Sequence, residues 1–256
     1  MSTVITSAGT ATSPSGRTAQ SHIIYAENAA LWWLFWVDTS SLTTLRTASS
    51  PDGTTWTTRG THTLSSSQDR GSNIAIAYKN ISSTDVVMVG LSYYVSATQQ
   101  RARYVRATIS GTTITFGTEG QLVADINTSD SNNSEGGMAV AFSSDNYAHV
   151  SQSLTGGGGS SDYGYSFNQK ASNADTGSAW TAGWSSTASM VNGGNYSNSS
   201  IIIPLASGTM LWVGSDMANL NVFTNITWKA QSSWTANITG NALASGIGSQ
   251  DQNDWH

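Results

Sequence analysis

Apolar and β-branched residues come in short runs along this chain, and clusters of Ser, Gly, Asn and Asp separate them. No window of a dozen residues places apolar side chains at i, i+3, i+4 and i+7 between credible caps, so no helix is predicted. The runs fall into groups of four. The first group is His22–Ala26, Leu31–Val37, Leu42–Thr47 and Thr55–Leu64. The second is Asn73–Lys79, Asp85–Val95, Arg101–Ile109 and Thr112–Val123. The third is Gly137–Phe142, Tyr147–Gln152, Tyr163–Lys170 and Ala179–Ser185. The fourth is Ser200–Ala206, Thr209–Gly214, Leu220–Lys229 and Ser233–Thr239. Short strands broken by turn residues at regular spacing are the pattern of an all-β protein.

The groups share punctuation. Polar clusters begin at Gln68, Asp130, Asn192 and Ser249, which lie 62, 62 and 57 residues apart. The strands that follow the first three are alike: Asn73-Ile-Ala-Ile-Ala-Tyr, Gly137-Met-Ala-Val-Ala-Phe and Ser200-Ile-Ile-Ile-Pro-Leu. Small and β-branched side chains suit a strand crowded near a central axis, and Pro204 removes a ladder donor, which predicts an edge position. A four-stranded unit repeated four times reads as a β-propeller-like domain of four antiparallel blades, the alternative being part of a five- or six-bladed ring. The expected organisation is an N-terminal arm (1–20) and a propeller-like domain (21–240), then a C-terminal tail or the start of a further blade (241–256). The four repeats fall at about 21–66, 67–128, 129–191 and 192–240.

Composition narrows the function. Charged residues are 10% of the chain, against ~25% in an average soluble protein. Ser and Thr number 42 and 32 of 256, so the surface is mostly neutral and hydroxylated. A net charge of −5 with three lysines argues against nucleic-acid binding, and the longest apolar run, Ala29–Val37, is too short to span a membrane. Cysteine is absent, which excludes disulfides and thiolate chemistry. Met1-Ser-Thr-Val-Ile-Thr has neither a basic nor an apolar segment and reads as no Sec signal, although the composition is that of a virion or extracellular surface.

One motif carries a family likeness. Ser50-Pro-Asp-Gly-Thr-Thr-Trp56 resembles the Asp-box hairpin of BNR-like, sialidase-type β-propellers, one residue shorter than the family pattern S-x-D-x-G-x-T-W. Asn173-Ala-Asp-Thr-Gly-Ser-Ala-Trp180 keeps Asp175, Gly177 and Trp180 at the family spacing. Ser110–Phe116 and Gln231–Trp234 have lost the Asp. The aromatic ends Trp56, Phe116, Trp180 and Trp234 lie 60, 64 and 54 residues apart and are expected at equivalent, buried places in successive sheets. The resemblance implies a structural staple, with Asp52 and Asp175 accepting turn amides and the Trp packing into the blade, away from any site.

The same resemblance would bring a sialidase three arginines, a Tyr/Glu pair and an Asp acid. All seven arginines here lie at or before Arg106, and only Glu27, Glu119 and Glu135 are glutamates. Asp residues are numerous enough to assemble a hydrolytic pair, but no spacing singles one out. His22, His62, His149 and His256 form no metal-binding pair, and Gly156–Gly159 lacks the Lys-Ser/Thr of a phosphate loop. Asp125-Ile-Asn-Thr-Ser129 with Asp130 and Glu135 alternates oxygen ligands but lacks the Gly and Glu of a calcium loop. No catalytic residue, metal or cofactor is expected.

A binding surface remains. The polar loops before each first strand carry Asp69, Asn73, Asn132, Asn133, Asn195, Tyr196, Asp254 and Trp255, amides and carboxylates beside aromatics of the kind a glycan site uses. Low charge and hydroxyl-rich strands also look like repeats in phage tail and virion surface proteins. The reading drawn is a non-enzymatic structural protein of a virion, tail fibre or extracellular appendage, forming oligomers or filaments, with host glycans as a further candidate partner. A soluble propeller lectin and a degenerate sialidase-like glycoside hydrolase are the alternatives.

Overall fold

The computed structural model describes residues 22–38, 41, 43–65, 74–96, 99–121, 126–127, 138–156, 163–171, 180–182, 200–205, 210–215, 219–222 and 241–245. Among them are four antiparallel sheets and no helix. The first is a meander of β1 (Ile23–Ala26), β2 (Leu31–Val37), β3 (Thr44–Ser50) and β4 (Thr57–Thr63). The second contains β5 (Ile74–Ile81), β6 (Thr84–Ser96) and β7 (Gln99–Ser110), with β8 (Thr113–Phe116), β9 (Gly120–Gln121) and β10 (Ile126–Asn127) all paired to β7. The third is β11 (Met138–Phe142), β12 (Ala148–Gly156), β13 (Tyr163–Ala171) and β14 (Trp180–Ala182). The fourth is β15 (Ser200–Pro204), β16 (Met210–Ser215), β17 (Asn219–Val222) and β18 (Asn241–Ser245).

First strands of successive sheets lie against one another, β1 on β5, β5 on β11 and β11 on β15. This is the propeller-like, all-β arrangement that the repeat pattern predicts. Pro204 ends β15, an edge strand, where its missing N–H breaks no ladder.

Alternation within strands builds the core. On β2, Trp33, Phe35 and Val37 face the second sheet and are enclosed with Ile74, Val87 and Val105. The opposite face of the second sheet, through Ala75, Ala77 and Met88, packs on Met138, Val140 and Phe142 of the third. β11 is buried at every position, as a strand sandwiched on both faces must be. Gly90 sits where these sheets meet most closely. A Cβ there would lie 2.5 Å from Val140 Cγ2 and 2.6 Å from Met138 Sδ.

Three expectations are corrected. The run Thr112–Val123 is not one strand: Gly117 donates to the Arg106 carbonyl at 2.8 Å between β8 and β9, bending the edge into pieces along β7. The last strand of the fourth sheet is Asn241–Ser245, inside the expected tail, and not Ser233–Thr239, which lies outside the described residues. Asn-Ala-Leu-Ala-Ser has weak intrinsic β preference, and pairing with β17 decides its state. Phe116 ends β8 and Trp180 opens β14, while Trp56 stands just before β4, so three of the four aromatics lie on or beside the fourth strand of different sheets. The Trp56 and Phe116 rings are half-buried and not enclosed, because hairpin ends reach the rim of a sheet. Trp234 lies outside the described residues.

Candidate functional site

The turn Ser50–Trp56 joins β3 to β4. Asp52 Oδ1 accepts the amides of Thr54 at 2.8 Å and Thr55 at 2.7 Å, and the Ser50 hydroxyl at 2.9 Å. Those donors hold the carboxyl below the usual carboxylate range. Gly53 takes φ 73°, which a Cβ would strain, and Trp56 Nε1 donates to the Gly53 carbonyl at 3.1 Å. Asp175 and Gly177 of the second motif lie outside the described residues.

Other described carboxylates are engaged in the same way. Buried Asp38, at the end of β2, receives both Nε and Nη2 of Arg46 at 2.5 Å. Asp85, fully buried at the start of β6, accepts the amides of Asn28 at 3.2 Å and Ala29 at 2.9 Å and the hydroxyl of Tyr78 at 2.7 Å. Burial, with Asp85 beside it, keeps the Tyr78 hydroxyl protonated well above its ordinary range. Asp145 accepts the Ser143 hydroxyl, and Glu119 takes the amide and hydroxyl of Ser65. Glu27 is exposed.

Two sets of contacts show how the first strands run. At their starts, His22 Nε2 lies 3.0 Å from the Ile74 carbonyl, joining the head of β1 to the head of β5. At their ends, Asp85 holds the turn after β1, and Lys79 Nζ donates to the carbonyls of Ser143 at 2.5 Å and Ser144 at 3.1 Å after β11. So β1, β5 and β11 run side by side in one direction. β5 and β11 therefore begin at the same end as His22.

Around that end the described residues are partly buried. His62 packs its ring on Phe116, centroids 5.2 Å apart, with Nε2 3.9 Å from Glu119. Burial lowers the pKa of His62 against the opposing pull of Glu119, and burial likewise lowers that of His22 against its bond to the Ile74 carbonyl.

The loop residues Asp69, Asn73, Asn132, Asn133, Asn195, Tyr196, Asp254 and Trp255 all lie outside the described residues, as does most of 125–135. Among the described residues no cluster of His, Asp or Glu suits a metal ion.

One feature went unmarked in the sequence. Tyr25 on β1 and Trp32 on β2 are direct cross-strand partners, their rings 5.1 Å apart and tilted by 59°, and they are 42% and 40% exposed. Trp32 is second in the run Leu31-Trp-Trp-Leu-Phe-Trp-Val, which reads as uniformly buried. Strict alternation within it was the available signal, since Trp32 takes the face opposite Trp33.

No protein-family model matches the chain, and no curated protein sequence does. Among solved structures it is similar to the catalytic domain of a GH62 alpha-L-arabinofuranosidase from Coprinopsis cinerea, with 11% identity and a TM-score of 0.40, covering 82% of this chain and 68% of that one. It is also similar to an endo-arabinase from Bacteroides thetaiotaomicron, with 8% identity and a TM-score of 0.30, covering 94% and 96%. Both structures are named as glycan-cleaving enzymes, against the expectation of a non-enzymatic virion or appendage protein, and the likeness itself is one of fold. A neutral, hydroxyl-rich surface suits contact with polysaccharide as well as packing into a fibre, so composition could not separate the two.

Proposed function

We propose that this chain is a carbohydrate-active β-propeller-like domain of the glycoside-hydrolase kind, acting on a neutral glycan at the end where the first strands begin. One observation carries the reading. The His22–Ile74 contact joins the heads of β1 and β5, and β11 runs in the same direction as β5, so the strands that follow sequence segments 66–73 and 128–137 both begin at one end of the fold. Those segments carry Asp69, Asn73, Asp130, Asn132, Asn133 and Glu135. The carboxylates of Asp38, Asp52, Asp85, Glu119 and Asp145 are held by amides, hydroxyls or Arg46, so the acids assigned to chemistry are Asp69, Asp130 and Glu135.

Glycoside hydrolysis needs one carboxyl to protonate the leaving oxygen and a second to activate water or attack the anomeric carbon. The loop amides Asn73, Asn132 and Asn133 bind sugar hydroxyls in this scheme. The turn at Ser50–Trp56 is read as an Asp-box, a staple on the opposite end of the first sheet. A domain working on polymeric glycan acts outside the cell.

A panel of aryl glycosides, α-L-arabinofuranosides included, tests the proposal. Release of the aryl group by the purified chain supports it. Saccharide binding without any cleavage would overturn the hydrolase in favour of a lectin.

A further inference from the structure

We infer that Tyr25 and Trp32 form a second saccharide-binding surface, an aromatic platform for polymeric glycan on the outer face of the first sheet. The inference goes beyond the site proposed above and rests on the reading that the domain acts on glycan. On β2, Trp33 and Phe35 are buried against the second sheet, so Trp32 lies on the opposite face with its cross-strand partner Tyr25. The pair is set in the open by strand geometry, with no loop needed to position it.

Size decides what covers it. Ile23, Tyr25 and Trp32 are 43%, 42% and 40% exposed, and aromatic side chains bury about 150–250 Å² each, so the patch offers on the order of 200 Å². A protein partner needs about 800 Å² per side. A pyranose or furanose ring presents one apolar C–H face of the smaller size, ringed by hydroxyls.

The surroundings match that ligand. Rings tilted by 59° with centroids 5.1 Å apart make a corner, in which one ring stacks on a sugar and the other lines its edge. Beside Trp32 runs the turn containing Gly53, where a Cβ would stand 4.0 Å from Trp32 Cδ1. Thr54 and Thr55 follow Gly53 on that turn and are exposed. Asp52 Oδ1 is taken up by the turn amides. A neutral polyhydroxylated chain is the ligand these groups recognise.

Affinity electrophoresis of the whole chain in native gels containing soluble arabinan, xylan or mixed-linkage β-glucan tests the platform. At least one polysaccharide should retard the wild-type chain. Trp32→Ala and Tyr25→Ala should each weaken that retardation tenfold or more, Trp32→Phe should keep most of it, and aryl-glycoside cleavage should not change. Both side chains are about 40% exposed, and an unchanged melting temperature certifies each variant. Retardation equal in wild type and the Tyr25→Ala/Trp32→Ala double variant overturns the platform while leaving the hydrolase reading intact. Wild type that no polysaccharide retards overturns it too, whether or not aryl glycosides are cleaved. A wild-type dimer that dissociates in Trp32→Ala assigns the patch to a second copy of the chain and overturns the saccharide.

Discussion

The Asp85 carboxylate accepts the backbone N–H of Ala29 at 2.9 Å, so a side chain in the second sheet closes the turn that follows β1, 56 residues earlier. Asn28 donates to the same carboxylate at 3.2 Å and the Tyr78 hydroxyl at 2.7 Å. One buried acid therefore fixes the spacing of two sheets at one end, as His22 and the Ile74 carbonyl do at the other.

Replacing Asp85 with Ala leaves these part-buried donors without their acceptor. The expected loss of unfolding free energy is about 3 kcal/mol. Denaturant unfolding measures it, and a loss under about 1 kcal/mol would show that solvent reaches the turn.

Close packing between the second and third sheets makes a sharper demand at Gly90. Adding a methyl group there meets Val140 Cγ2 at 2.5 Å and Met138 Sδ at 2.6 Å. Gly90→Ala should destabilise the chain by roughly 1–3 kcal/mol through overpacking. Gly90→Ala combined with Val140→Ala should recover part of that loss, which thermal melts of the single and double variants will show.

Left-handed backbone at a non-glycine turn gives a change of opposite sign. Ser82 and Ser83 connect β5 to β6 with φ of 49° and 64°, the two-residue turn that favours Asn-Gly. Ser82→Asn with Ser83→Gly should stabilise the chain by about 1 kcal/mol, read as a higher melting temperature.

Much of this architecture is legible in the sequence where strands alternate or are uniformly apolar. β2, β5, β11 and β16 fall close to their expected places because branched and aromatic residues end at turn residues on both sides. β18 is not legible: Asn241-Ala-Leu-Ala-Ser carries no strong β preference, and only its ladder with β17 makes it a strand. The contacts that align the first strands are also hidden, because Asp85 and Ala29, or His22 and Ile74, are joined by fold and not by spacing. At the site, the polar loops were visible as composition. The platform was missed because Trp32 stands inside an apolar run whose two faces differ only by alternation.

Acid sensitivity follows from His22. Its pKa is lowered by burial, with the Ile74 carbonyl bond opposing, so the unfolded chain takes up a proton at higher pH than the folded one. Stability is complete above the ordinary histidine value of ~6.5 and falls as pH drops below it towards the folded pKa. His22→Gln should flatten this part of the profile. Melting temperatures at pH 7.5 and 5.5 for both proteins check the difference, and an equal drop in the variant would exclude His22 as the cause.

Glycan cleavage is proposed here to rest on Asp69, Asp130 and Glu135. Reducing-end release from arabinan and xylan, compared between wild type and Asp69→Asn, Asp130→Asn and Glu135→Gln, tests it most directly. The account predicts steady release by wild type and a loss of a hundredfold or more in at least two variants whose melting temperatures are unchanged. Release that persists at the wild-type rate in all three, or no release by wild type from any polysaccharide, would contradict it.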